Sequence, residues 1–235
     1  MTPTTSKARQ ALKTPRAAAI VGIVFSVVLA TSQVLIRLAI AATPEETGVW
    51  RSDSAHRTFL GVALYLVPFA GIAFLWFIGV IRDRMGAQED RFFATVFLGS
   101  GLLFVAMLFA AAALAGGLVA NTSSVTGSGS PSETWQFGYH LTFTFMTTYA
   151  MRMAGVFMLV TSTITLRTAF MAVWLGWLGY VFGGVLLLSA GHVPWIELLF
   201  PLWAFVVSAR TLVGTRSGKR RRERAVGEDR LEGGQ

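Results

Sequence analysis

The sequence contains no cysteine and few charged residues, and these two deficits exclude several classes of protein. Without cysteine the chain cannot form disulfides, use a thiolate as a nucleophile or bind a metal through thiolates. Charged residues make up 14% of the chain, whereas soluble domains carry about 25%. Hydrophobic residues make up 54%, which is more apolar surface than a soluble fold of this length could bury. The composition therefore predicts an integral membrane protein.

Apolar runs recur along the chain, with short polar joints between them. A helix needs about 20 apolar residues to cross a hydrocarbon layer about 30 Å thick. The prediction is an all-α, polytopic transmembrane helical bundle in one domain, residues 17–213. Its six predicted spans are residues 17–42, 59–81, 92–120, 135–166, 170–190 and 195–213. The first run could instead be a signal peptide cleaved near Ala41, but it is longer than the usual apolar core of about 7–15 residues, which favours a retained span.

The basic residues that give the chain its net charge of +8 lie mainly at the ends of the apolar runs. Lysine and arginine cluster in residues 1–16, in the joint at 82–91, at Arg167 and in the C-terminal tail at 214–235. With six spans all four segments fall on one side, and the positive-inside rule then places both termini in the cytoplasm. The basic residues form no folded face with interleaved aromatic residues, so nucleic acid is not expected as a partner.

The lipid bilayer is the main expected partner. Residues 216–224, RSGKRRRER, directly follow the last span. Each basic residue held near an anionic membrane surface contributes on the order of 1 kcal/mol. We therefore expect this tail to contact anionic lipid head groups, and its simplest role is to fix the orientation of the chain.

Arg152, near the centre of the fourth run, is the most informative residue of the sequence. An arginine at the middle of a bilayer costs about 2.5–3.5 kcal/mol on insertion scales, so such residues usually face the interior of a bundle. Thr148 and Tyr149 lie one helical turn before Arg152, and Thr144 lies two turns before it. The fourth helix is therefore expected to carry a polar stripe with an arginine at its centre.

The partner of Arg152 is left open by the sequence. No acidic residue is expected inside any span, so the guanidinium has no predicted carboxylate partner in the hydrocarbon layer. It could contact helix carbonyls, Gln33 of the first run, water or an anionic ligand. Two interpretations follow: an anion or polar-head-group site in a cavity between helices, or a structural arginine that snorkels or ties helices together.

Gly179 and Gly183 form a GxxxG match in the fifth run. Small residues at this spacing allow two helix backbones to approach closely. The partner helix could belong to the same chain or to a second copy in a homo-oligomer, and internal packing is favoured.

Three histidines fall on the predicted outer side, where they could meet a metal together with two glutamates. These residues are His56, His140, His192, Glu133 and Glu197. No spacing such as HExxH connects them. No metal, catalytic or cofactor-binding residue is therefore assigned, and no cofactor is expected.

The stretch YAMRMAGVFMLVTSTITLRT at residues 149–168, followed by WLGWLGY at residues 174–180, resembles uncharacterised multi-pass membrane proteins of actinobacteria and related bacteria. The likeness covers about the last two thirds of the chain. It implies a helical bundle in a bacterial inner membrane, and it implies no particular activity.

Two classes of function remain. A non-enzymatic structural, sensory or accessory membrane component is favoured by the lack of intramembrane acids, catalytic clusters and internal repeats. The alternative is a small transporter or channel for an anionic or polar small molecule. That alternative is supported by Pro68 within the second run, by the small-residue helices and by a polar cavity expected around Arg152.

Overall fold

The computed structural model describes residues 15–39, 54–85, 91–124, 133–168, 172–189 and 193–213. Within these ranges nearly every residue is helical and no β-strand is present, which confirms the predicted all-α helical bundle. The helices are α1 (Pro15–Ala39), α2 (Ser54–Met85), α3 (Arg91–Ser124), α4 (residues 133–168), α5 (Val173–Ser189) and α6 (residues 199–213, preceded by the 3-10 turn Ile196–Leu198).

Five of these segments are long and apolar enough to cross a membrane: α1, α2, α3, α4 and Ile196–Val213. Helix α5 is apolar as well but has only 17 residues. Helices suit these sequences because a helix satisfies its own backbone hydrogen bonds where no water is available. Within the described residues, each predicted span overlaps one of the six helices, and the ends differ by a few residues. The predicted tails fall mostly on residues 1–14 and 214–235, which lie outside the described residues.

Helix α4 is not a regular α-helix along its whole length. It consists of an α-helical part, Glu133–Phe143, a π-helical part, Thr144–Ala150, and a second α-helical part, Met151–Thr168. A π-helical segment inside an α-helix changes the face on which the following side chains lie, and such segments are frequent at functional sites. The irregular part lies directly before Arg152.

Consecutive helices pack side by side and antiparallel, so the bundle has two ends. We name them by α1: the Pro15 end, where α1 begins, and the Ala39 end. At the Pro15 end, the guanidinium of Arg167 in α4 lies 4.7 Å from the centroid of the Phe93 ring in α3. At the same end, that of Arg210 in α6 lies 5.5 Å from the centroid of the Trp174 ring in α5. At this end, arginine and aromatic side chains thus join α3 to α4 and α5 to α6.

The centre of the bundle is filled by phenylalanine. The fully buried ring of Phe200, in the first turn of α6, contacts one ring from each of the first four helices, with centroid distances of 4.9 to 6.2 Å. These four rings are Phe25, Phe74, Phe104 and Phe157. The core at this depth is therefore closed by aromatic packing.

Helices α4 and α5 approach each other closely through glycines. A Cβ atom added to Gly183 would lie 2.9 Å from the carbonyl oxygen of Gly155, and one added to Gly155 would lie 2.9 Å from the carbonyl oxygen of Gly183. One turn earlier in α5, an added Cβ at Gly179 would collide with Ser162 and lie 2.9 Å from Nε1 of Trp203. Both glycines of the GxxxG motif thus pack against helices of the same chain.

Candidate functional site

An ion pair joins α1 to the start of α6 at the Ala39 end. Nε of Arg37 donates a hydrogen bond of 2.7 Å to Oε1 of Glu197, and Nη2 of the same guanidinium lies 2.7 Å from that oxygen. Arg37 lies in the last turn of α1, and Glu197 lies in the 3-10 turn that leads into α6. The side chain of Glu197 is 1% exposed and that of Arg37 is 22% exposed. The carboxylate is therefore inside the bundle, and the arginine forms the outer side of the pair.

Two aromatic rings complete the surroundings of Arg37. Its guanidinium carbon lies 5.2 Å from the centroid of the Trp195 ring and 5.8 Å from that of the Phe143 ring in α4, both within the range of cation–π attraction. The backbone of Trp195 has a φ of 66°, a left-handed conformation that costs a residue of this kind about 1–3 kcal/mol. Helices α1, α4 and α6 thus converge on one guanidinium.

Several buried polar atoms near this ion pair have no hydrogen-bond partner among the described residues. They are Oε2 of Glu197, both amide atoms of Gln33 and Oγ1 of Thr142. Gln33 precedes Arg37 by one helical turn, and Thr142 is the sequence neighbour of Phe143. A buried polar group without a partner costs about 1–3 kcal/mol. This region therefore has unused capacity to bind water or a polar ligand.

The sequence-based expectation that no acidic residue lies inside a span is wrong at Glu197, which falls within the predicted sixth span, residues 195–213. This residue is in the apolar segment Ile196–Val213 and is almost completely buried. Burial is tolerated because the guanidinium of Arg37 lies against its carboxylate, and a buried charge needs such a partner. The signal was present in the sequence, since the last turn of the first span and the first turn of the sixth carry opposite charges and meet at the same end of a six-span bundle.

Arg152 lies at the middle of the apolar segment Gln136–Thr168 and is half-buried. Within the part of the chain that the structure describes, it makes no hydrogen bond and no ion pair. It also makes no hydrogen bond with Gln33, whose amide atoms are unpartnered on α1. The structure therefore does not join these two residues into one site.

The end of α5 lies beside Arg152. A Cβ added to Gly155 would lie 3.3 Å from the backbone nitrogen of Leu187, and Arg152 precedes Gly155 by one turn. Arg152 is therefore level with the last turn of α5, which ends at Ser189. The last four carbonyl groups of a helix have no partner within the helix and carry a partial negative charge. This placement lowers the electrostatic cost of an arginine at this depth.

Among the described residues, α5 covers only part of the length of α4. From the contact between Gly155 and Gly183, α4 continues toward the Ala39 end for about 33 Å, whereas α5 continues for about 9 Å. Side chains of α4 beyond the end of α5 are accordingly exposed, among them Phe137, His140, Thr144 and Tyr149.

The predicted polar stripe is divided by this arrangement. Thr144 and Tyr149 are exposed, with Tyr149 51% exposed, and Thr148 and Arg152 are half-buried. We call these four residues the α4 polar face. Farther along the helix, Thr163 is covered by α5, and its hydroxyl lies 2.8 Å from that of Tyr180. The α4 polar face thus points to the outside of the bundle, beside the end of α5.

The proposed convergence of histidines is not visible in the described residues. His140 is exposed on α4, while His192 and the side chain of His56 lie outside what the structure describes. Among the described residues, no group of three or more histidine and acidic side chains could hold a metal ion.

Comparison with known proteins adds no family to this description. No family model matches the chain, and no curated protein and no solved structure matches it.

Proposed function

We propose that this protein is a non-enzymatic accessory component of a membrane assembly, and that it binds a partner helix through the α4 polar face. The observation that carries the proposal is the half-buried guanidinium of Arg152 on an uncovered side of the bundle, without an ion-pair partner among the described residues. An arginine inside a hydrocarbon layer is costly unless a neighbour pairs with it. A partner on this side of α4 would remove that cost.

The partner has a defined chemistry. It is a transmembrane helix that occupies the space beyond the end of α5 and carries an aspartate or glutamate at the depth of Arg152. The hydroxyl groups of Thr144, Thr148 and Tyr149 add hydrogen bonds, each worth about 0.6 kcal/mol between membrane helices. A second copy of this chain fits less well, because the one acidic side chain described within its membrane-crossing segments, Glu197, is already paired.

The position of the assembly follows from the distribution of charge. We place the protein in the inner membrane of a bacterium, with both termini in the cytoplasm. The exposed arginines Arg82, Arg167 and Arg210 belong to the Pro15 end, and the positive-inside rule assigns such an end to the cytoplasm. The basic residues 216–224 follow α6 at this end and would contact anionic lipid head groups.

A second candidate function is transport of an anionic or polar small molecule along α4. It is favoured by the π-helical segment before Arg152 and by the unpartnered amide of Gln33. The phenylalanine core around Phe200 argues against a path through the centre of the bundle. A transport path would therefore have to follow the α4 polar face.

The proposal is tested by replacing Arg152 and measuring the size of the native complex. Membranes are dissolved in a mild detergent and the apparent mass is read by native gel electrophoresis. Arg152→Leu should reduce the mass to that of the single chain, because leucine cannot pair with a carboxylate. Arg82→Leu is the matched control, since it removes an exposed arginine at the other end and should leave the complex intact. A complex of unchanged size in R152L would refute the proposal.

Two further outcomes would indicate a different role for the α4 polar face. If the wild type runs as a single chain and native mass spectrometry shows one anionic phospholipid that R152L does not retain, a lipid phosphate pairs with Arg152. If a cysteine placed at Thr148 reacts with a water-soluble thiol reagent in intact membranes, whereas one at the exposed Tyr65 of α2 does not, the polar face is hydrated and transport is favoured. The chain has no cysteine of its own, so the labelling has no background.

A further inference from the structure

The surroundings of Arg37 have the composition of a binding site for an organic cation. Two aromatic faces, Trp195 and Phe143, and one buried carboxylate, Glu197, surround the guanidinium. Aromatic faces attract organic cations through their quadrupole, and rings arranged around a cation recognise ammonium and guanidinium groups. The carboxylate supplies the opposite charge.

The carboxylate is only partly used by Arg37. Both Arg37 nitrogens contact the same oxygen, Oε1, and Oε2 has no partner among the described residues. A guanidinium that approached the carboxylate in the plane of both oxygens would form two parallel hydrogen bonds, which is the stronger arrangement. The side-chain amide of Gln33, whose oxygen and nitrogen are both buried and unpartnered among the described residues, lies one helical turn before Arg37 and can accept or donate further hydrogen bonds. Oε2 of Glu197 thus remains available as an acceptor.

The site is accessible at its outer side. Trp195 is 43% exposed, Phe143 is half-buried, and Arg37 is 22% exposed against 1% for Glu197. Arg37 is thus the group that separates the carboxylate from the surface at the Ala39 end. An arginine side chain has several rotatable bonds, so Arg37 can turn toward the surface, whereas the side chain of Glu197 is 1% exposed.

We propose that Trp195, Phe143 and Glu197 form a binding site for a small organic cation with a guanidinium or alkylammonium group, and that Arg37 occupies this site when the ligand is absent. The inference is independent of the partner helix at Arg152, because it uses none of the residues of the α4 polar face. Ligand and Arg37 compete for one carboxylate and two rings. The affinity of the wild type is therefore reduced by the fraction of molecules in which Arg37 fills the site.

The experiment compares two probes of almost equal shape on the purified full-length chain in lipid nanodiscs. Ethylguanidinium reproduces the end of an arginine side chain, and ethylurea is its neutral counterpart. Binding is measured by isothermal titration calorimetry at constant ionic strength. We expect saturable binding of ethylguanidinium to the wild type and none of ethylurea, because only the cation can pair with Glu197.

Variants separate this site from adventitious binding. Arg37→Met removes the internal competitor and should raise the affinity for ethylguanidinium by about tenfold or more. The double variant with Arg37→Met and Glu197→Gln should lose binding. Arg37→Lys retains the ion pair, so it keeps the bundle intact if R37M unfolds. It should bind more tightly than the wild type, because an ammonium lacks the planar group that stacks on the two rings.

Three results would overturn the inference. Equal affinity of the wild type, R37M and R37K would place the probe elsewhere. Undiminished binding to the double variant would exclude Glu197 as the counter-ion. Binding to R37M without any saturable binding to the wild type would make Arg37 a permanent structural occupant instead of a competitor.

Discussion

Replacing the two members of the Arg37–Glu197 pair one at a time should have unequal effects on stability. Arg37→Met leaves the carboxylate of Glu197, which is 1% exposed, without its counter-ion. Breaking a buried pair in this way costs about 3–5 kcal/mol. Glu197→Gln leaves a guanidinium that is 22% exposed and still lies over Trp195 and Phe143. This arginine can turn toward the surface, so we expect the loss to be about 1–2 kcal/mol, close to that of a charge-assisted hydrogen bond.

The double variant measures the free energy of interaction between Arg37 and Glu197. With both charges removed, no uncompensated carboxylate remains, and the loss should be smaller than that of R37M alone. The coupling free energy from the four unfolding measurements should therefore be large, about 2–3 kcal/mol, which is the upper range for contacting residues. The free energy of unfolding is measured by equilibrium unfolding in mixed detergent micelles. A matched control is Arg210→Met, which removes an exposed arginine stacked on Trp174 at the Pro15 end and should cost less than about 1 kcal/mol.

Two results would refute this reasoning. If Glu197→Gln destabilises the bundle as much as Arg37→Met, the difference in burial between the two side chains does not control the energetics. If the effects of the single variants add in the double variant, the two residues do not interact in the folded protein.

Two further predictions concern packing, and each has a control on the same helix. Gly183→Ala should destabilise the bundle by about 1–3 kcal/mol, because the new Cβ would lie 2.9 Å from the carbonyl oxygen of Gly155. Gly184→Ala is the control and should be neutral or stabilising, because its Cβ would meet nothing within 4 Å. Thermal unfolding in detergent measures both variants. Phe200→Ala should lower the free energy of unfolding by about 3–5 kcal/mol, because it empties the centre of the aromatic core. Phe205→Ala, at a 41% exposed position of the same helix, should change it by about 0.5 kcal/mol or less. Equilibrium unfolding in mixed micelles measures both variants.

The six helices could be predicted because membrane insertion leaves a strong signal in composition. Each apolar run is bounded by charged or turn-forming residues, and backbone hydrogen bonding within lipid permits little besides a helix. The described end of α5 at Ser189 lies within one residue of the predicted end of the fifth span, residue 190. The side of α4 against which α5 packs depends on the contact between Gly155 and Gly183, so the direction of the stripe could not be obtained from the sequence.

The burial of Glu197 could not be predicted from the sequence for a different reason. Hydropathy averages over about 20 residues and therefore accepts one acidic residue at the end of a span without assigning it a place. Its burial depends on Arg37, which lies 160 positions earlier in the chain. The link between them becomes visible when the ends of antiparallel spans are compared for opposite charges. The same comparison finds no acidic residue for Arg152 among the described spans.

The stripe on α4 was located by assuming 3.6 residues per turn, and the π-helical segment Thr144–Ala150 departs from that period. Each π-turn contains about one extra residue, which rotates the preceding side chains relative to those that follow. Within this segment Thr147 is buried and Tyr149 is 51% exposed. No feature of the local sequence identifies a π-helix, so this shift could not be anticipated.

Arg37, near the Ala39 end, and Arg152, at the middle of its apolar segment, have different surroundings, so their replacement should have different effects. Arg37 is neutralised by a carboxylate of its own chain, so its replacement should first lower stability. Arg152 has no such carboxylate among the described residues, so under the proposed function its replacement should first weaken binding of the partner helix. Variants at Thr144 and Tyr149 provide the decisive comparison, because both side chains are exposed and contribute little to packing. Loss of the native complex in these variants, with unfolding free energies equal to that of the wild type, would assign the α4 polar face to a partner. Loss of stability without loss of the complex would assign it to the fold.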